Sequence, residues 1–413
     1  MIRFSLIHTI ILLTWIFTNS ANAGYAVERE KVLALNTLSN VPAVTLKDGS
    51  AFMIRPGELQ AIFYDGLPFD GKPTRIYAWL GLPNNASVDN KVPAIVLVHG
   101  GGGTAWKEWV EKWTARGFAA ISIAVEGQTD DLLAEELKTG SWRWQTHQWP
   151  GPRRPGIYND LIKKKLEDQW MYHAVADVIL ANSLIRSLSV VDTKKIGLMG
   201  VSWGGVITST VIGIDQRFAF AIPTYGCGDL SEAQNKYGKV LGNNSFYKNV
   251  WDPILRLPRA ELPTLWISWP GDQHFPLDKQ ASSYNAVSGP YMVSLIPGLG
   301  HSQKAAMKPE DSYAFAESVV NLGKPWANIS ASTVIDNKVN IKLTSSKKLD
   351  SAVLISSTDS GVSGDKKWQE TEATLTRSGN EWLVSATLPK GVKAWFVNIK
   401  SGILTLSSDY TDK

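Results

Sequence analysis

Residues 195–205 read K-I-G-L-M-G-V-S-W-G-G, and the fold is decided there. Ile196, Leu198 and Met199 make a short apolar run, the pattern of a buried strand. Gly200-Val201-Ser202-Trp203-Gly204 then follows as a G-x-S-x-G pattern, and residues 205–214 read as an apolar helix. A serine between strand and helix sits on a sharp turn. The turn lifts the hydroxyl above the sheet edge, with the helix N-terminus beneath it. Gly200 and Gly204 let such a turn approach its neighbours closely. The five residues alone recur by chance, and a serine there can simply cap a helix. The strand before it and the helix after it favour a reactive serine.

Outward from this turn, strands and helices alternate. Residues 74–82, 93–98, 119–125, 218–223, 264–269 and 291–296 read as strands. Residues 106–116, 166–188, 277–287 and 309–322 read as helices, the second carrying a long apolar stripe through Trp170, Ala174, Val178, Ala181 and Ile185. That alternation implies a mostly parallel central sheet flanked by helices. Residues 24–73 are mixed and give no clear element. Two stretches break the rhythm and are read as insertions. One, near 126–166, is rich in Trp, Arg, Pro and Gly and is expected to border a pocket; the other, near 229–259, is polar and aromatic. Composition shifts at Gly323-Lys324-Pro325. Beyond it, short alternating runs rich in Val, Thr, Ser and Leu are separated by Gly, Asn and Asp turns. That is an all-β sandwich signature. The expected organisation is a catalytic domain at 24–323 and a small β-sandwich domain at 326–413.

Residues 1–23 have the form of a secretory signal peptide. Arg3 supplies the positive start, residues 10–17 the apolar centre, and Ala21-Asn22-Ala23 an A-x-A cleavage site. The apolar run is too short for an ordinary membrane span. Export to the periplasm or the outside of the cell is expected, with no membrane attachment after cleavage. The chain has 413 residues, 44% apolar content and a formal charge of +4, which argues against a nucleic-acid partner. Cys227 is the only cysteine, so there is neither an internal disulfide nor a cysteine metal site. There are 17 tryptophans. Core packing explains most of them, and any surplus beside a pocket would suit stacking on sugar rings.

A serine hydroxyl needs a base to take its proton, and the base needs a carboxylate to hold its tautomer. On an α/β-hydrolase fold these follow in the chain order Ser, Asp or Glu, His. His301 stands in a Gly-rich loop after the last strand, where the base belongs, and Asp272 in the loop after the preceding strand, where the acid belongs. Asp252 and Asp229 are competing acids, and a turn aspartate is an ordinary reading of P-G-D. His274 is too near Asp272 in sequence for both to bracket one base. His99-Gly100-Gly101-Gly102-Gly103 directly follows a strand and can turn its amides inward. Gly101 or Gly102, with the amide of Trp203, is the expected oxyanion hole. His99 and His173 read as structural. No H-E-x-x-H or clustered His/Asp set occurs, so no metal and no cofactor is implied.

Three stretches carry a resemblance. They are W-M-Y-H-A-V-A-D at 170–177, G-V-S-W-G-G at 200–205 and L-W-I-S-W-P-G-D-Q-H-F-P at 265–276. They look like bacterial acetyl xylan esterase-like α/β-hydrolases, relatives of the prolyl-oligopeptidase-type serine hydrolases. The resemblance covers roughly residues 93–322 and implies an α/β-hydrolase fold with Ser202 as nucleophile, Asp272 as acid and His301 as base. S-W-P-G-D stands where relatives more often have a G-T-N-D-like turn. The expected activity is removal of acyl groups, acetyl first, from an acylated polysaccharide or oligosaccharide. Trp106, Trp142, Trp144, Trp149, Trp269 and His274 are the expected substrate-binding residues. The rivals are a prolyl-oligopeptidase-like peptidase, whose relatives carry a β-propeller, and a non-catalytic carbohydrate-binding protein. Nothing in the sequence indicates the oligomeric state.

Overall fold

The computed structural model describes residues 24–135, 143–157 and 164–413, so the leader at 1–23 and Trp142 lie outside the described residues. The central sheet contains β1 (Leu59–Asp65), β2 (Arg75–Gly81), β3 (Val92–Val98), β4 (Ala119–Ile123), β5 (Val191–Val201), β6 (Phe220–Thr224), β7 (Thr264–Ser268) and β8 (Tyr291–Leu295). Across the sheet they lie in the order β1-β2-β4-β3-β5-β6-β7-β8. β2 is antiparallel to both neighbours, and every pair from β4 to β8 is parallel. A parallel sheet covered on both faces needs apolar side chains on both faces. V-P-A-I-V-L-V in β3, A-A-I-S-I in β4 and T-L-W-I-S in β7 meet that need and are buried almost throughout.

The covering helices are α1 (Lys107–Thr114), α2 (Trp170–Arg186), α3 (Trp203–Val211), α4 (Leu277–Tyr284) and α5 (Glu310–Leu322). α2 is buried along nearly its whole length. It therefore encloses a carboxyl, Asp177, whose pKa burial pushes well above the usual carboxylate range. A folded-state pKa raised this way contributes stability below the unfolded value, near 4, and loses it as the pH rises. Asp177→Asn is therefore expected to raise Tm at pH 8 and to leave it little changed near pH 4. The rise should be about 2–4 °C for each kcal/mol relieved. Thermal melts at the two pH values check this, and an equal shift at both would refute it.

Tryptophan is spent mostly on this core: Trp109, Trp113, Trp170, Trp251, Trp266 and Trp326 are all buried. Residues 24–73, unreadable in sequence, hold a helix Ala26–Leu33, a short strand Val44–Leu46 and β1. In β1, L-Q-A-I-F-Y-D mixes half-buried and buried positions without strict alternation, so its period is hidden. The insertion near 126–166 contains a two-stranded ribbon, Gln128–Leu132 against Trp144–Thr146. The one near 229–259 is a succession of short helical turns.

The C-terminal part is strand-rich. β9 (Ala327–Ile335), β10 (Lys338–Ser345), β11 (Ser351–Ser357), β12 (Gln369–Ser378), β13 (Glu381–Thr387), β14 (Ala394–Ser401) and β15 (Leu404–Ser407) pair antiparallel. One layer runs β9-β10-β13-β12 and the other β12-β11-β14-β15; the two halves of β12 serve one layer each. The sheet also continues across the composition break at 323–325. β15 pairs with β8 at Val293 and Ser407, Ser407 Oγ accepts the Leu295 N–H at 2.8 Å, and Asn398 Nδ2 donates to the Leu295 carbonyl at 2.9 Å.

Candidate active site

The strand order reverses at β3, whose sequence successors lie on opposite sides of it, and a crevice opens beyond the carboxyl ends of the strands. β5 delivers Ser202 to that edge. Ser202 holds φ +58° and ψ −118°, a strained setting for a residue with a side chain. The turn closes because its flanks lack side chains. A Cβ on Gly200 would stand 2.0 Å from the Gly204 carbonyl oxygen, and one on Gly204 2.3 Å from that of Val98. The Ser202 N–H donates to the Thr224 carbonyl at 2.8 Å, tying the turn to β6.

Residues far apart in the chain meet here. Ser202 Oγ lies 2.9 Å from His301 Nε2, and His301 Nδ1 lies 2.8 Å from Asp272 Oδ2. A carboxylate only accepts, so the proton sits on Nδ1 and leaves Nε2 to accept the serine hydroxyl. Asp272 is 1% exposed, and its other oxygen accepts the N–H groups of His274 and Phe275 at 2.8 and 3.0 Å. The His301 ring stacks on Tyr225, at 4.5 Å between centroids, and lies nearly parallel to the Phe275 ring, at 5.7 Å. The Tyr225 hydroxyl donates to the Gly300 carbonyl at 2.7 Å and so holds the loop that carries His301. The competing acids are occupied elsewhere. Asp252 accepts the N–H groups of Asp229 and Ile254, and Asp229 pairs with Lys279 at 3.1 Å.

The glycine loop after β3 is organised by buried polar groups. His99 accepts the Val125 N–H on Nε2 at 3.0 Å, which leaves Nδ1–H to donate to the Gly100 carbonyl at 2.6 Å. Burial holds its pKa below the ordinary histidine value, in keeping with this neutral, structural ring. Gly102 has φ +72°, which suits only glycine, and its N–H donates to Glu126 Oε1 at 3.0 Å. The Gly100 N–H goes to Gln303 Oε1 at 3.3 Å and the Gly103 N–H to the Gly100 carbonyl at 3.0 Å. Among the described residues, the Gly101 N–H of these four has no acceptor. The loop lies directly over the serine, since a Cβ on Gly100 would stand 3.2 Å from Ser202 Cβ.

These groups face a cleft of about 770 Å³. Trp106 and Trp144 form an edge-to-face pair in its wall, and the Trp144 indole N–H donates to the Gly102 carbonyl at 3.2 Å. His274 also lines it, edge-on to His301. Burial and the neighbouring His301 lower the His274 pKa. Trp149 and Trp269 depart from expectation, for neither lines this cleft. Trp149 packs edge-on to Phe63, beneath the Arg75 guanidinium at 4.7 Å, and borders a separate cavity of about 530 Å³. Trp269 packs against the core beside Gly271. Tryptophan spacing carries no sign of which face of a long loop turns inward, so sequence could not separate these from Trp106 and Trp144. Tyr225, Glu126, Arg154, Tyr237 and Gln303 are the residues that sequence reasoning missed. Tyr225 could have been found, because it directly follows β6 at the carboxyl edge where such sites form.

A mostly parallel sheet, a serine on a strand-to-helix turn and a histidine and aspartate from the loops after β8 and β7 define an α/β-hydrolase. The acetyl xylan esterase (AXE1) family model matches residues 52–232. Among solved structures, the chain resembles an acetyl xylan esterase from a Paenibacillus species, with TM-score 0.53 and 20% identity over 71% of this chain and 94% of that one. It also resembles acetyl xylan esterase 1 from a Thermoanaerobacterium species, with TM-score 0.51 and 18% identity over 67% of this chain and 88% of that one. Among curated proteins, the dipeptidyl-peptidase 5 of Aspergillus oryzae is 20% identical over 236 residues, 54% of this chain and 30% of that protein. The chain spans about a third of the length of the curated relatives it matches. Residues 52–232 thus resemble the acetyl xylan esterase family, and the fold is the α/β-hydrolase fold that those esterases share.

Proposed function

We propose that the protein is an exported serine esterase that removes acetyl groups from a polysaccharide or oligosaccharide. The observation that carries this reading is the Ser202–His301–Asp272 chain of hydrogen bonds beside an unclaimed Gly101 N–H. Ser202 Oγ attacks the ester carbonyl carbon while His301 Nε2 takes its proton. Asp272 holds the ring and stabilises the imidazolium. The Gly101 and Trp203 amides receive the oxyanion. His301 then protonates the departing sugar hydroxyl, and the acyl group stays on Ser202. Water, deprotonated by His301, attacks the acyl-enzyme and releases acetate and the free serine. Gly102 is set aside from this role because its N–H is bonded to Glu126. Trp106 and Trp144 offer the flat apolar wall that suits a sugar face. Export rests on the form of residues 1–23; among the described residues no helix is long and apolar enough to cross a membrane. Acetate release from acetylated xylo-oligosaccharides by the purified protein tests the reading. Cleavage of proline-containing peptides with no acetate release would overturn it in favour of a peptidase.

The β domain enters this reading through one turn. Ser363–Asp365 packs on the loop that carries Asp272. Ser363 Oγ accepts the Leu277 N–H at 2.8 Å, and Asp365 accepts the Gln273 side-chain amide at 3.0 Å. A Cβ on Gly364 would stand 2.6 Å from the Asp272 carbonyl oxygen. Gly364→Ala is therefore expected to push the acid loop and lower kcat by about 10- to 100-fold, the scale of a displaced catalytic group. KM should change little, and Tm should fall as well, since the atoms a Cβ would meet are backbone. Steady-state kinetics with a thermal melt check it, and unchanged kcat would refute the buttressing role.

A further inference from the structure

The walls of the cleft carry an uneven charge. The chain as a whole is nearly balanced, with 42 Lys and Arg against 38 Asp and Glu. The cleft lining includes Arg143, Arg154, Lys236 and Lys304 and, among the described residues, no carboxylate. Arg143, Lys236 and Lys304 make no ion pair with a described carboxylate. They come from three separate segments: the first insertion, the second insertion and the short helix Gln303–Ala306 just after His301.

Arg154 differs from the other three because it is fixed. Its Nε donates to Glu126 Oε1 at 3.2 Å, where Glu126 is only 3% exposed, and one terminal nitrogen donates to the Gly156 carbonyl. Its guanidinium stands 5.6 Å from the Trp203 ring centroid, and a Cβ on Gly101 would come within 2.6 Å of its other terminal nitrogen. Glu126 therefore positions the Gly102 N–H and Arg154 together, bringing a guanidinium beside Gly101, whose N–H has no acceptor among the described residues. A guanidinium has five N–H donors, and these bonds leave several for a ligand.

A neutral acetylated sugar gains little from four cations. An anionic one gains from all of them, because a cleft with low-dielectric walls focuses their field. Arginine in addition matches the geometry of carboxylate and sulfate groups. We infer that the ester substrate is carried on an acidic glycan, with a carboxylate or sulfate near the scissile ester seated against Arg154 and the rim cations Arg143, Lys236 and Lys304. This rests on the esterase reading and narrows its substrate class.

The test compares kcat/KM for three esters: an O-acetylated methyl xyloside, its O-acetylated methyl glucuronoside counterpart and an O-acetylated, O-sulfated xyloside. Each is assayed at about 20 mM and about 500 mM salt, where the screening length falls from about 20 Å to about 4 Å. At least one anionic ester is expected to exceed the neutral one by about tenfold or more at low salt, with the ratio shrinking at high salt. The larger of the two anionic ratios assigns carboxylate or sulfate. In R143Q/K236Q/K304Q the ratio should fall toward one, and in K236R/K304R it should survive. A neutral ester turned over as fast as both anionic ones at low salt would overturn the inference while leaving the esterase reading intact. A ratio unchanged in the glutamine variant would overturn it as well. If no ester of any charge is hydrolysed by folded protein, the esterase reading fails, and the inference fails with it.

Discussion

Ser202→Ala is expected to lower kcat for an acetyl ester about a million-fold, the scale on which a serine hydrolase loses activity without its nucleophile. Ser202 sits with its hydroxyl 2.9 Å from His301 Nε2, and alanine removes both the attacking oxygen and the proton that His301 would take. His301→Ala should cost about as much. The double variant should cost little more than either, because the two groups act as one unit. Asp272→Asn should cost about ten-thousand-fold, since an amide N–H in place of the carboxylate oxygen favours the wrong imidazole tautomer. Ser202→Ala leaves the turn's backbone contacts in place, so its Tm should stay near that of the wild type. Initial rates of acetate release, with a melt on each variant, check the set. A folded Ser202→Ala protein retaining about a tenth of the activity would remove the serine from the mechanism.

The second large effect is on folding. Gly204→Val would set a Cβ 2.3 Å from the Val98 carbonyl oxygen and 2.5 Å from that of His99, both backbone atoms at the end of β3. Neither can swing aside as a side chain could, so α3 would have to leave the sheet. The expected cost exceeds about 4 kcal/mol, in the range of severe steric disruption, and should appear as loss of soluble folded protein or a large fall in the urea midpoint. Gly298→Ala is the control. Gly298 has φ +73° with open space around it, so alanine there carries only the left-handed backbone cost of about 1–2 kcal/mol. Equal stability of the two variants would show that the close approach at Gly204 is not what holds the turn.

Legibility of this molecule follows the range of the forces involved. Short alternating runs of the tail, 339–343 and 382–386 among them, lie inside strands, and β3 and β7 stand out because burial on both faces demands apolar runs. β1 did not stand out, because its residues are buried unevenly. Ser202, Asp272 and His301 could be proposed as a set because each follows a strand, and the chain order of such loops constrains which groups can meet.

What the sequence determined by itself is therefore the local part: the strand-to-helix turn at Ser202, the alternation that makes a parallel sheet, and the glycine-rich bend after β3. Those depend on sterics and periodicity among near neighbours. Tertiary structure alone decided which loop amide stays uncommitted, because Glu126 claims the Gly102 N–H from 24 residues away. It also decided that Trp144 faces the cleft and Trp149 does not, and that a turn near Gly364 supports the loop of Asp272. Each of these is a contact between segments distant in the chain. Its existence depends on how whole layers pack, and no local pattern of residue types encodes that.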